Sequence, residues 1–167
     1  KNKSDSRILD LNADTGRLAF ELARSFKDVT ALDFTARMIR IPIQLQEQGY
    51  VRYTMRDEGE LMFYRDIVLS DFGLNEIKGS LLFMQADAMN LKDIYSGYDL
   101  IVVPSLLEEL SDPKAFLSDI HTRVNDGGLL VIASDYQWDQ KKTPRDKWPG
   151  GFKQDGEPVT SFDGISS

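Results

Sequence analysis

The chain has 167 residues, with 20 Lys and Arg against 27 Asp and Glu, for a net charge of −7. With 41% apolar and 28% charged residues it reads as one soluble globular domain with a core that needs no covalent staples. The absence of Cys excludes disulfides, thiolate metal sites and Cys nucleophiles, and a single histidine, His121, excludes a multi-His centre, so no metal is expected. The acidic balance argues against nucleic acid and against an anionic membrane surface as partners. No run of about 18 apolar residues is present to span a bilayer. No secretory signal is read, so the expected location is cytoplasmic.

The first strand is Arg7 to Leu11, followed by a turn-like stretch from Asn12 to Gly16. Leu18, Leu22 and Phe26 then recur on one helical face. Val29 to Phe34 predicts a second strand, and Thr35 to Gln48 a helix that Pro42 should kink or break. Residues 49–79 read as a helical or mixed insertion. Ser80 to Gln85 and Tyr98 to Val103 predict the third and fourth strands, with only a brief helix between them. Ser111-Asp112-Pro113 has the chemistry of a helix start, and that helix should run to about Val124 and stop at Asn125 to Gly128. Leu129 to Ser134 predicts the fifth strand.

Strands separated by helices imply an α/β, Rossmann-like architecture: a mostly parallel sheet with helices on both faces. The strands are near-continuous apolar runs, as buried parallel strands are. Residues 1–135 form this core in a single domain over 1–167, and 136–167 read as a loop-rich tail. No further pair of strands is legible after the fifth, so the sheet should end with an open edge, which makes a homo-oligomer a live expectation.

Candidate chemistry gathers at the strand ends. Asp10-Leu11-Asn12-Ala13-Asp14-Thr15-Gly16 joins a strand to a helix, where backbone amides face ligands. Gly16 is its only glycine, and Asn12 is the next most tolerant residue type for a left-handed turn. Asp33 ends the second strand, where an acid accepts hydrogen bonds from ribose hydroxyls. Asp87 can accept from an exocyclic amine, and Ala88 leaves room for a ring. Pro104, Ser105 and Glu108 follow the fourth strand at the same edge. The tail carries Tyr136, Trp138, Trp148 and Phe152, which read either as a lid or as surface packing. His121 is expected on a helix surface, away from this edge.

These pieces in this order resemble a class I methyltransferase dependent on S-adenosylmethionine. The segments Glu58 to Leu61, Gln85 to Leu91, Asp112 to Leu117, Gly127 to Ser134 and Trp148 to Gly164 resemble the C-terminal methyltransferase domain of ovothiol synthase. The resemblance implies N-methylation of a small thiol-imidazole such as mercaptohistidine, with a sulfoxide synthase domain as an upstream partner. It implies that Asp10, Asn12, Ala13 and Gly16 form the cofactor loop, that Asp33 holds the ribose and that Phe34 packs on adenine. Asp87 and Ala88 would meet the adenine edge, and Pro104 and Ser105 the sulfonium. Tyr136 and Trp138 would lie towards the substrate, with Glu108 or Asp135 on its ammonium group. No catalytic residue is singled out, because a neutral imidazole nitrogen needs no strong base.

The chain departs from that family's loop, with Asn12 at the first glycine and Asp14-Thr15 before Gly16. Three readings stand at this point: an active methyltransferase, a degenerate, non-catalytic module that binds or docks, and a different nucleotide-binding enzyme such as a nicotinamide-dependent one, which the lack of a G-x-G-x-x-G pattern disfavours.

Overall fold

The computed structural model describes residues 5–166. Five strands, β1 (Arg7–Leu11), β2 (Asp28–Asp33), β5 (Ser80–Gln85), β6 (Tyr98–Pro104) and β7 (Val124–Ala133), form one sheet. Its order is β5-β2-β1-β6-β7 and every pairing is parallel. The chain leaves β1 towards β2 and β5, then returns past β1 to β6 and β7. The order thus reverses between β1 and β6, and such a reversal opens a crevice at the carboxyl ends of the strands. The Rossmann-like expectation holds, including a sheet that ends at β7 among the described residues.

Side chains alternate across β1 and β2, so each strand feeds two cores. Ile8, Val29 and Ala31 pack under α1 (Arg17–Ala23) and α2 (Ala36–Gln48), with Phe20, Ile39 and Phe83. Leu9, Leu11 and Leu32 pack on the other face with Tyr98, Ile101 and Val103, against Phe116 and Ile120 of α3 (Pro113–Ile120). Burial of each such side chain is worth roughly 1.5–3 kcal/mol. The Asp112 carboxylate caps α3 by accepting the Ala115 N–H at 3.0 Å.

Four local expectations change. α2 runs unbroken through Pro42, because the ring is buried against Gly16, where any Cβ would stand 2.5 Å from the Pro42 Cβ. The helical reading of 49–79 gives way to an antiparallel hairpin, β3 (Tyr50–Arg56) with β4 (Met62–Val68), followed by a short 3-10 turn at Leu69–Phe72. The third helix ends at Ile120, with His121 exposed in a 3-10 turn, and β7 begins at Val124 with an irregular register through 125–128.

The tail is not simply loop: β8 (Phe152–Gln154) and β9 (Glu157–Val159) form a second hairpin, followed by the short helix α4 (Ser161–Ser166). Nor is the tail loose. Trp138 stacks on Trp148 with centroids 6.3 Å apart and donates its indole N–H to Ser161 Oγ at 2.8 Å. The fully buried Thr143 donates its hydroxyl to the Leu110 carbonyl at 2.6 Å, and Lys147 pairs with Asp112 at 2.8 Å.

Candidate functional site

A cleft of about 480 Å³ opens at the carboxyl ends of β1, β2 and β5. Its wall is built from Asn12 after β1, Asp33 to Thr35 after β2 and Ala86 to Met89 after β5. Leu106 and Glu109 to Ser111, after β6, close the far side. The topological switch point is therefore where the cavity lies. Five expected cofactor residues, Asn12, Asp33, Phe34, Asp87 and Ala88, line it together.

Asp33 is 7% exposed, and both of its oxygens serve the backbone. Oδ2 accepts the Asp14 N–H at 3.0 Å and Oδ1 accepts the Thr35 N–H at 2.8 Å. An ionised carboxylate offers about four lone-pair sites, so this leaves acceptor capacity facing the cleft. Phe34 is 70% exposed at the rim, so its ring face is open to the cleft. Asp87 Oδ1 accepts the Met89 N–H at 2.9 Å and shapes the turn that brings Ala88 to the wall.

The loop after β1 keeps a glycine-like path with only one glycine, Gly16. Asn12 has φ 85, Asp14 φ 48 and Gly16 φ 89, all in the left-handed region. Asn12 tolerates this better than most residues. Its carboxamide donates to the Pro104 carbonyl at 2.9 Å and to the Ser105 carbonyl at 3.2 Å, tying the loop to the end of β6.

Asp10 stands outside the lining. It is fully buried on the same strand face as Ile8, and neither of its oxygens has a hydrogen-bond partner. Burial, then the nearby Asp33 charge, pushes its carboxyl up to about 7. Ala13 and Gly16 are buried beneath the loop, and Pro104 and Ser105 meet the cleft only through Asn12. Glu108 is buried behind the rim, where Ser134 Oγ donates to it at 2.8 Å. Asp135 and Tyr136 line a separate, open hollow with Phe152 and Phe162, which shares no lining residue with the cleft. Trp138 is tied into the tail, as above. Leu106 and Glu109 belong to the stretch after the fourth strand that the sequence placed at this edge, whereas Thr35, Met89, Leu110 and Ser111 were passed over as cleft residues. Thr35 and Met89 were one step from residues that were singled out, whereas Leu110 and Ser111 carried no local signal.

The methyltransferase-domain family matches residues 1–163 of the chain. Among solved structures, a SAM-dependent methyltransferase from Methanosarcina mazei is 22% identical with a TM-score of 0.56, covering 77% of this chain and 52% of that one. The YcgJ protein of Bacillus subtilis is 14% identical with a TM-score of 0.56, covering 79% and 45%. The N-methyltransferase NodS of Bradyrhizobium japonicum, solved with S-adenosyl-L-homocysteine, is 19% identical with a TM-score of 0.54, covering 77% and 52%. These are likenesses of fold, and the chain spans about half the length of the structures it matches. No curated protein matches the sequence significantly. The parallel sheet, the cleft at its switch point and the family match over nearly the whole chain together place this protein in the methyltransferase-domain family.

Proposed function

We propose that the cleft binds S-adenosylmethionine and that the chain is the cofactor-binding part of a methyltransferase. The observation that carries this is the position of Asp33: an acid at the end of β2, held by two backbone amides, on the wall of a cleft at the switch point. The nucleoside half of the ligand fits the donor set. Asp33 has acceptor capacity for ribose hydroxyls, Phe34 offers a ring face for adenine, and Asp87 with Ala88 gives an acceptor beside open space. Family membership and the S-adenosyl-L-homocysteine bound to NodS support the same ligand.

The cofactor supplies an electrophilic methyl group on a sulfonium, so no acid is needed to activate it. The protein's part is to hold donor and acceptor in line, and such positioning is worth roughly 7–11 kcal/mol. Asp33 and Phe34 fix the nucleoside, and the Asn12–Pro104 link fixes the end of the cleft nearest β6.

The acceptor is a small molecule with a nitrogen nucleophile, and a thiol-imidazole such as mercaptohistidine is our reading. It rests on the resemblance of the Trp148 to Gly164 segment and its neighbours to ovothiol synthase. An upstream sulfoxide synthase domain is the source of substrate in this reading, and the hollow lined by Asp135, Tyr136 and Phe152, being separate from the cleft, is not assigned to the acceptor. Glu108 is bound to Ser134, which makes it a support for residues 134–136. A homo-oligomer through the open edge of β7 and a cytoplasmic location complete the proposal. No helix among the described residues is long and apolar enough to cross a membrane. The second reading, a non-catalytic module, is favoured by Asn12 and Asp14 standing where backbone must approach a ligand.

Thermal-shift titration tests the ligand. S-adenosyl-L-homocysteine at about 100 times its Kd adds roughly 2.7 kcal/mol, a rise of about 5–10 °C for a chain of this size. A flat melting temperature with this compound removes the cofactor assignment. Methyl transfer to mercaptohistidine, followed by mass spectrometry, separates the active enzyme from the module.

A further inference from the structure

Among the described residues, three carboxylates stand on the wall of the cleft and no Lys, Arg or His does. Asp33 and Asp87 follow β2 and β5, and Glu109 closes the far side after β6. All three keep acceptor capacity. Asp33 takes two backbone amides, Asp87 takes the Met89 N–H through one oxygen, and Glu109 takes Lys142 through one oxygen. Asp14 adds an exposed acid on the loop, where its N–H is bound to Asp33. Arg37, two residues past Thr35, is exposed and outside the lining.

A cavity of about 480 Å³ is about 10 Å across, which is about one Debye length at 0.1 M salt. A charge anywhere inside therefore feels all three acids. A cleft lined by one sign of charge focuses the field and gathers the opposite sign. The counter-charge comes from the tail. Lys142 donates to Glu109 Oε1 from outside the lining, and Thr143 beside it is anchored on the Leu110 carbonyl at 2.6 Å. The bond to Glu109 raises the Lys142 ammonium above its usual range, and the charges of Glu109, Asp139 and Glu108 add to this. Lys142 is thus a lasting cation at the outer side of the one cleft acid it touches.

Methyl transfer changes the charge inside the cleft. The acceptor's lone pair bonds to the methyl carbon, the electrons of the carbon–sulfur bond return to sulfur, and the positive charge passes to the acceptor. The donor is left as a thioether, neutral at sulfur. We infer that the cleft tells these two forms apart by charge: Asp33, Asp87 and Glu109 favour the sulfonium over the thioether, and Lys142 sets by how much through Glu109. Spent donor is then displaced by fresh donor. This rests on the adenosyl reading above and deepens it, since it names Glu109 and Lys142 as the pair that tunes which adenosyl compound is preferred.

The experiment is calorimetric titration of the full chain with two probes. S-adenosyl-L-homocysteine is neutral at sulfur. Sinefungin has the same nucleoside and amino-acid tail, with a protonated amine where the sulfonium methyl stands. The parent should bind sinefungin roughly tenfold more tightly. Lys142→Met bares Glu109 and should widen the ratio to about thirtyfold, whereas Glu109→Gln leaves the Lys142 charge uncompensated and should narrow it to about threefold or less. Both side chains are about half exposed, so breaking the pair costs little stability. S-adenosyl-L-homocysteine should stay within about twofold in both variants, which separates charge from shape. Parent Kd values within about twofold of each other overturn the inference and leave the adenosyl reading standing. So does a ratio that moves the same way in both variants, or in neither. A parent that binds neither probe removes the adenosyl reading, and this inference with it.

Discussion

The Asp33 carboxylate accepts the backbone N–H of Asp14 across the gap between β2 and the loop after β1, at 3.0 Å. The acid that faces the cleft is therefore also the peg that holds the loop's left-handed turn. Binding and loop geometry are tied to one side chain, and a change there reads out in both.

Asp33→Asn keeps one acceptor oxygen and loses the charge. One backbone amide is then left without its partner, at a cost of about 1–2 kcal/mol in urea unfolding. Affinity for 5′-methylthioadenosine should fall by roughly tenfold or more, because a charged acceptor of ribose hydroxyls is gone. Unchanged affinity in titration would remove Asp33 from the site.

Asp10 predicts a pH dependence of stability. Its carboxyl is raised from an ordinary 3.8 to about 7, chiefly by burial. The folded state therefore binds this proton more tightly than the unfolded chain does. Stability should fall as pH rises from about 4 to about 7, and level off above that. The full swing is on the order of 4 to 5 kcal/mol, from about three pH units at about 1.4 kcal/mol each. Asp10→Asn, which has no proton to lose, should flatten this part of the profile. Urea midpoints measured across that range check it, and an equally sloped profile in the variant would refute the assignment.

Gly16→Ala should destabilise by roughly 2–4 kcal/mol, adding left-handed strain to an overpacked contact. The new methyl would stand 2.5 Å from the Pro42 Cβ, so α1 and α2 must separate. A thermal melt of the variant measures this. Gly49→Ala is the control: it has a similar φ of 78 but nothing within 4 Å of the added methyl, so it carries the strain without the clash.

Thr143→Val replaces a fully buried hydroxyl by a methyl of the same shape. The Leu110 carbonyl loses its 2.6 Å partner, at a cost of about 1–3 kcal/mol. Because Leu110 lines the cleft, hydrogen exchange should rise at 107–111 as well as in the tail. Exchange confined to the tail would show that the two are independent.

Much of the fold was legible because parallel strands read as apolar runs, central ones such as β1 and β2 because both faces are buried, and the edge strand β5 although Leu82 and Met84 on its outer face are exposed. Arg7 to Leu11, Val29 to Asp33 and Ser80 to Gln85 are apolar runs with acids or polar residues at their ends. Asp33 could be read as a site residue because its place at a strand end is local. The first hairpin was missed although Tyr50, Val51, Tyr53 and Thr54 favour strands and Gly59 marks the turn at φ 55. The second was missed although Asp155-Gly156, at φ 53 and 88, is a two-residue turn of the kind that closes hairpins.

The sequence alone determined the parallel sheet and its five strands, and which acid ends β2, because strand periodicity and end residues are properties of neighbouring positions. Only the tertiary structure decided that Asn12 reaches Pro104 and Ser105, that Asp10 is buried without a partner, and that Leu110 and Ser111 face the cleft. Those facts depend on residues some 90 positions apart being brought side by side by the β1–β6 pairing, and no local pattern encodes which side chain fills the gap.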